Sequence, residues 1–299
     1  MPYSGKIRFA PSPTGYLHEG HLLSALYVWA AAKKWNLHIH LRIEDHDRGR
    51  ARQAYIDAIR EDLEWLGFDY QSESIQSNRQ EIYRLVLEKI KTAGLVYPCT
   101  CSRKILEESN PRSKTGEIIY QGKCRYKPAD TTLPHNLRFK TTDKIINWKD
   151  YRLGDFSECP ALQCGDFPIV DREGLFTYQF CVCVDDLEQN ITHIVRGEDI
   201  RNSTARQIDL SEKICQFAKG CGNIPQKYTA PLYLHHGLIV DPTGKKLSKR
   251  ELAHSIREDK EQGIPPEKLL GRVLFKANFI KNEEFVPLDV AIGIIINAL

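Results

Sequence analysis

Along the N-terminal part of the chain the hydrophobic pattern switches repeatedly between a period of about two and a period of about 3.6. "GKIRFAPSP" predicts a short strand ended by a proline-rich turn. A helix is predicted from Gly20 to Trp35, with Leu22, Leu23, Leu26, Val28 and Trp29 as its apolar surface. "LHIHLRIED" alternates polar and apolar residues and predicts a second strand. In "RQAYIDAIREDLEWLGF" the apolar residues Tyr55, Ile56, Ile59, Leu63 and Leu66 have helical spacing, and Gly67 supplies the stop. A further helix is predicted from Asn78 to Ala93.

Strand, helix, strand, helix is the order expected of a parallel α/β sheet. Near Pro98 it gives way to a stretch rich in Cys, Lys, Pro and turn residues. It resumes at "GLFTYQFCVCVDDLEQNITHIVRGEDI", where two β-rich runs are predicted, the first placing Cys181 and Cys183 in a core strand. A helix should follow from Ser203 to Lys219. "GLIVDPTGKKLSKRE" predicts an apolar strand, a turn over Asp241–Gly244 and a cationic loop. Helical patterns near Pro266–Phe279 and Leu288–Leu299 close the chain.

Charge sharpens this division. The net charge of the 299 residues is +3, yet Cys99–Arg152 holds twelve Lys/Arg against six Asp/Glu, so the remainder sums to three negative. A basic middle segment inside an α/β sheet is suited to a polyanion. No apolar run approaches the roughly 20 residues that span a bilayer, so no membrane partner is expected. Nine cysteines, an odd number without a secretory signal, favour thiols or metal ligands over a disulfide framework, and a cytoplasmic location.

"TGYLHEGH" brings two histidines, His18 and His21, to the predicted junction of strand and helix. A zinc-protease motif would need a histidine four positions after His18, where Leu22 stands. A pair at i and i+3 can be an ordinary surface or core pair. It can also meet phosphate, because helix N-termini present unpaired N–H groups and a favourable dipole, and Gly20 permits close approach. "KKLSKR", with Lys245, Lys246, Lys249 and Arg250 around Leu247 and Ser248, can be a solvated surface or the second half of a triphosphate grip. Neither a dinucleotide fingerprint nor a Walker pattern is present. Separately, Cys99, Cys101, Tyr120 and Cys124 offer three thiols and a phenol, a donor set suited to one structural Zn²⁺. Cys159 and Cys164 are read as ordinary thiols.

"HEGH" after "RFAPSPTG", followed much later by "KLSKR", resembles the two signature motifs of class I aminoacyl-tRNA synthetases. The wider strings "RFAPSPTGYLHEGH", "LRIEDHD" and "VRGEDI" are similar to the glutamyl branch. The resemblance implies a Rossmann-type catalytic domain, ATP bound with Mg²⁺, and L-glutamate attacking the α-phosphorus to give an adenylate. It implies ATP binding by His18, Gly20, His21, Lys246, Ser248 and Lys249, with His18, His21, Lys246 and Lys249 as the catalytic donors. It implies glutamate binding by Arg8, Phe9, Ala10, Pro11, Ser12, Glu44, Tyr178 and Arg196, with Glu44 facing the ammonium. A similar C-x-C…Y-x-x-x-C site in that branch implies Zn²⁺ in the insertion. Arg250 stands where the lysine motif usually ends in serine.

Only 48 residues follow Glu251, and no anticodon-binding domain is expected there. The resemblance therefore leans to the shortened paralogous family that attaches glutamate to queuosine at the wobble position of tRNA(Asp), holding the anticodon arm and acting as a monomer. A glutamyl-tRNA synthetase fragment charging tRNA(Glu), a nucleotidyltransferase acting on a small cofactor and a non-catalytic RNA-binding relative are the alternatives. The expected division is 1–97 and 166–230 as halves of the catalytic domain, 98–165 as a zinc-binding, RNA-contacting insertion, and 231–299 as lysine loop and helical tail.

Overall fold

The computed structural model describes residues 2–127, 129–239 and 255–299. The lysine loop, with Lys245, Lys246, Ser248, Lys249 and Arg250, lies outside the described residues. The chain opens with β1 (Gly5–Phe9), α1 (Glu19–Trp35), β2 (Leu37–Ile43), α2 (Gln53–Leu66), β3 (Ser72–Ile75) and α3 (Gln80–Thr92). There follow β4 (Val96–Cys99), α4 (Arg103–Ser109), α5 (Lys123–Tyr126), β5 (Asn136–Phe139), β6 (Ile146–Asp150), β7 (Gly154–Glu158), α6 (Pro160–Gln163) and β8 (Pro168–Val170). The remainder is α7 (Tyr178–Glu188), β9 (His193–Gly197), α8 (Thr204–Phe217), β10 (Leu232–His236), α9 (Ile256–Glu261), α10 (Pro266–Lys276) and α11 (Leu288–Ala298).

The main sheet has the order β3-β2-β1-β9-β10-β6-β7, parallel except for the last pair. Chain order reverses direction between β1 and β9. A crevice forms at such a reversal, beyond the carboxyl ends of the strands, because the flanking connections diverge there. The 98–165 stretch serves two sheets: β5 pairs with β4 and β8 in a separate three-stranded sheet, while the β6–β7 hairpin joins the main one through Tyr233 and Asp150.

Alternation along the strands sorts side chains by face. Ile7, Phe9, Leu41, Ile43, Val195 and Leu234 join α1, α2, α10 and α11 in one core. Burying each such side chain contributes about 2 kcal/mol. Arg8, Arg42 and Arg196, the alternate residues on β1, β2 and β9, are buried on the other side, within reach of α7 or α8. Three buried cations on neighbouring strands are costly unless something answers their charge.

Two expectations are corrected. The run containing Cys181 and Cys183 is helix α7, not a strand. It is buried almost all round, from Phe180 to Val184 and again at Leu187, so its apolar residues run on without helical alternation. The two cysteines do belong to a core. The last strand of the sheet is Leu232–His236, upstream of the stretch starting at Gly237, because pairing with β9 runs from Leu232 to His236.

Candidate active site

The turn after β1 delivers His18 as the N-cap of α1, in extended conformation. Gly20 N–H donates to His18 Nδ1 at 3.1 Å, and His18 N–H donates to His21 Nδ1 at 3.2 Å. Each Nδ1 is thereby an acceptor, so each neutral ring carries its proton on Nε2. The rings lie 3.9 Å apart between centroids with their planes tilted by 38°, which puts two donors at one helix start. Gly20 is needed for this: a Cβ there would sit 3.0 Å from His18 Cε1. Its missing side chain thus makes room for the imidazole. A backbone bridge from His18 to Ser255 brings the residue just before α9 against the same turn.

Two adjoining cavities open at the reversal point. The outer one, about 730 Å³, is lined by Ala10, Pro11, Ser12, His18, His21, Glu44 and Tyr178, among others. The inner one, about 150 Å³, shares Ala10, Pro11, His21, Glu44 and Tyr178 and adds Arg8, Phe9 and Arg196. Every glutamate-binding residue named from the sequence lines one or both. The inner volume suits an amino acid and the outer one a nucleotide. A larger hollow of about 1090 Å³ lies beside the start of β6, lined by Trp148, Tyr233, Lys144 and Asp209. It lies at the amino ends of β6 and β10 rather than at the strands' carboxyl ends, so size does not decide the site.

Beneath the inner cavity runs a chain of buried charge. Arg42 meets Glu44 at 3.2 Å and Asp186 at 2.8 Å, and Arg8 meets Asp186 at 3.2 Å. Burial lifts the Glu44 carboxyl above its ordinary range although Arg42 opposes this. Desolvation pushes the partly buried Asp186 up too, yet Arg42 and Arg8 hold it below its ordinary value. Arg196 donates to His235, Gln207 and Thr204 instead. A carboxylate at the pocket floor and a guanidinium with neutral neighbours are the poles a zwitterion with an acidic side chain requires.

Sequence reasoning passed over His46, which lines the outer cavity and donates from Nδ1 to Gln76 Oε1 at 3.1 Å. It also passed over Asp199, Ser255 and Glu258 on the same wall. His46 and Asp199 sit inside "LRIEDHD" and "VRGEDI", so their neighbours were the available signal.

In the insertion, Cys99, Cys101 and Cys124 place their sulfurs within 4.8 Å of one another. Tyr120 Oη lies 3.4 Å from Cys99 Sγ and 3.7 Å from Cys101 Sγ, and the Cys101–Cys124 separation is 3.6 Å. Sulfurs bound tetrahedrally to one Zn²⁺ stand about 3.8 Å apart, so the donors fit that ion with little movement. A Cβ on Gly165 would strike Tyr120 O, so only glycine lets the backbone between α6 and β8 bridge to Tyr120. Burial raises the Cys99 thiol, but the Tyr120 hydroxyl and Arg138 outweigh it and bring it down to about 7. Burial pushes Cys101 up to about 11. Cys159 and Cys164 stand apart from this cluster.

Comparison with known proteins agrees in kind. Residues 6–289 match the family described as tRNA synthetases class I (E and Q), catalytic domain. A glutamyl-Q tRNA(Asp) synthetase of Neisseria meningitidis serogroup B is 38% identical, over 85% of this chain and 82% of its own. A glutamate–tRNA ligase of Paraburkholderia phytofirmans is 36% identical over 96% of this chain but 62% of its own length. The crystal structure of a glutamate tRNA ligase from Elizabethkingia meningosepticum, in complex with its amino acid, superposes with a TM-score of 0.75 at 29% identity, covering 96% of this chain and 64% of that one.

Proposed function

This chain belongs to the class I glutamyl- and glutaminyl-tRNA synthetase catalytic-domain family, and we propose that it activates L-glutamate with ATP and transfers it to queuosine at the wobble position of tRNA(Asp). The observation that carries the activation step is the His18–His21 pair. Both rings are fixed as Nε2–H donors at the wall of a nucleotide-sized cavity that opens onto an amino-acid-sized one.

In this reading glutamate lies in the inner cavity with its ammonium at Glu44 and its side-chain carboxylate at Arg196. Arg8, already engaged by Asp186, lends positive potential to the same pocket. Tyr178 and the Phe9–Ser12 turn enclose the substrate, which leaves the α-carboxylate directed toward the outer cavity. There His18 and His21 donate to the α-phosphate as its charge is redistributed, and the attacking carboxylate oxygen displaces pyrophosphate. The substrate supplies the nucleophile, so catalysis is positioning and charge stabilisation. Lys246 and Lys249 are assigned to the leaving pyrophosphate. Mg²⁺ enters with ATP on phosphate oxygens. A hydroxyl of the modified base then attacks the adenylate's carbonyl and AMP departs. Cys99, Cys101, Tyr120 and Cys124 would hold Zn²⁺, which would brace the basic 98–165 segment for RNA binding.

Queuosine as acceptor is supported by the Neisseria relative, most of whose length this chain spans. The glutamate–tRNA ligases, of which it spans less, support tRNA(Glu) as the other acceptor. Labelled glutamate, ATP and separate tRNA pools distinguish them. Exchange of pyrophosphate without RNA, and labelling confined to queuosine-bearing tRNA(Asp), is the expected result; charging of tRNA(Glu) overturns it.

A further inference from the structure

The three buried arginines of the sheet differ in the kind of partner they have. Arg8 and Arg42 both contact Asp186. Arg196 forms no ion pair among the described residues. Its Nε–H donates to His235 Nε2 at 3.0 Å, Nη1 donates to Gln207 Oε1 at 2.7 Å, and Nη2 donates to Thr204 Oγ1 at 2.8 Å. Each acceptor is neutral. The guanidinium is therefore oriented without being neutralised, and each terminal nitrogen keeps one N–H for an incoming carboxylate.

His235 can accept from Arg196 only while Nε2 is bare. Asp150 imposes that state. Its Oδ2 takes the His235 Nδ1–H at 2.7 Å and the His235 backbone N–H at 2.9 Å. Its Oδ1 takes the amides of Arg152 and Leu153, both at 2.9 Å. Although burial pushes the Asp150 carboxyl up, the His235 and backbone hydrogen bonds keep it below its ordinary value. Burial also opposes a second proton on His235, and Arg196 and Arg201 add to this while Asp150 works against it. Arg152 closes the arrangement from outside, donating from Nε to His235 O at 2.7 Å and pairing with Glu198.

We propose that Asp150 and His235 are a positioning pair that aims Arg196 at the acidic side chain of the substrate, an inference that rests on the glutamate reading of the inner cavity. The pair sets specificity without touching substrate. Asp150 comes from the end of β6, so the hairpin's place at the sheet edge next to β10 acquires a purpose: it delivers the carboxylate that selects the tautomer.

The test is ATP–pyrophosphate exchange with purified full-length wild type, H235L, H235Q and D150N. H235L removes the hydrogen bonds to Asp150 and Arg196, with the longer Thr204 contact, and should raise the KM for glutamate about tenfold or more, with the KM for ATP within about twofold. H235Q has a donor and an acceptor on one head group and should recover most of that loss. Parallel changes in both KM values, or an unchanged glutamate KM in H235L, overturn the inference. Should H235L fail to fold, D150N carries the same test, because an amide no longer dictates which imidazole nitrogen is protonated. Independently, ¹⁵N NMR of the wild type must find His235 protonated on Nδ1 and bare on Nε2; the opposite tautomer also overturns it. Wild type that gives no glutamate-dependent exchange sinks the proposed function itself. Wild type that exchanges while the variants keep their glutamate KM sinks only the positioning pair.

Discussion

The Arg272 guanidinium lies 2.7 Å from the Glu19 carboxylate, joining helix α10 to the first residue of α1 inside the "HEGH" motif. Lys276 reaches the same carboxylate at 2.7 Å, and Arg272 also pairs with the buried Asp259 of α9. The acid between the two histidines is thus an anchor for the C-terminal helices. Its negative charge also suits the helix N-terminus it occupies.

Removing Arg272 takes the guanidinium away from the buried Asp259 and leaves Glu19 to Lys276 alone. R272A should lower the free energy of unfolding by roughly 2–3 kcal/mol, measured by urea denaturation. Because α9 follows the lysine segment in the chain and its cap bridges His18, the KM for ATP should rise more than that for glutamate. An unaltered midpoint together with unaltered ATP dependence would refute the anchoring role.

Asp62 of α2 gives a stability prediction with a definite sign in pH. It is buried, its Oδ2 has no hydrogen-bond partner, and burial raises its carboxyl to about 6 in spite of Lys260 and Arg257. The folded state therefore prefers the neutral acid, and the burden of ionisation is complete above about pH 6 and absent below the unfolded value of 3.8. D62N should stabilise the protein by roughly 2–3 kcal/mol at pH 7.5. That gain should shrink steadily toward pH 4. Melting temperatures of both proteins across this range check it; a gain independent of pH contradicts the assignment.

The thiol cluster predicts one zinc per chain. Elemental analysis of purified protein should find it in wild type and lose it in C101S, whose hydroxyl is a poor substitute for thiolate. The same substitution should expose the β4–β5–β8 sheet to proteolysis before the main sheet. Retained stoichiometry in C101S would remove Cys101 from the ligand set.

The fold was legible where the two faces of an element differ in polarity. β2 alternates Leu37, Ile39, Leu41 and Ile43 with His38, His40 and Arg42, and α2 separates its faces equally well. α7 defeated the same reasoning because its apolar residues run on from Phe180 to Val184 with no polar face between them. The residues that line the outer cavity and carry motifs were legible, since His18, His21 and Glu44 sit in short strings next to predicted element ends. The Asp150–His235 contact was not, because its partners are 85 residues apart and the pairing of β6 beside β10 has no local signature. Nor could the strings reveal that His18 caps its own helix, which depends on a ring orientation rather than on residue type.

That capping role makes it possible to separate structure from catalysis at His18. Its Nδ1 serves the helix by accepting from Gly20 N–H, and Nε2 is the atom assigned to the α-phosphate. Asparagine places an amide group near the Nδ1 position and is itself a favoured N-cap, but it cannot reach as far as Nε2. H18N should therefore keep the wild-type melting temperature while the rate of pyrophosphate exchange falls about 10²–10³-fold. Glutamine has the opposite character: its terminal nitrogen approaches the Nε2 position, whereas its cap is weak. H18Q should recover part of the rate and lose about 1 kcal/mol of stability. If rate and stability fall together in both variants, His18 acts only as a cap, and phosphate binding must be sought on His21.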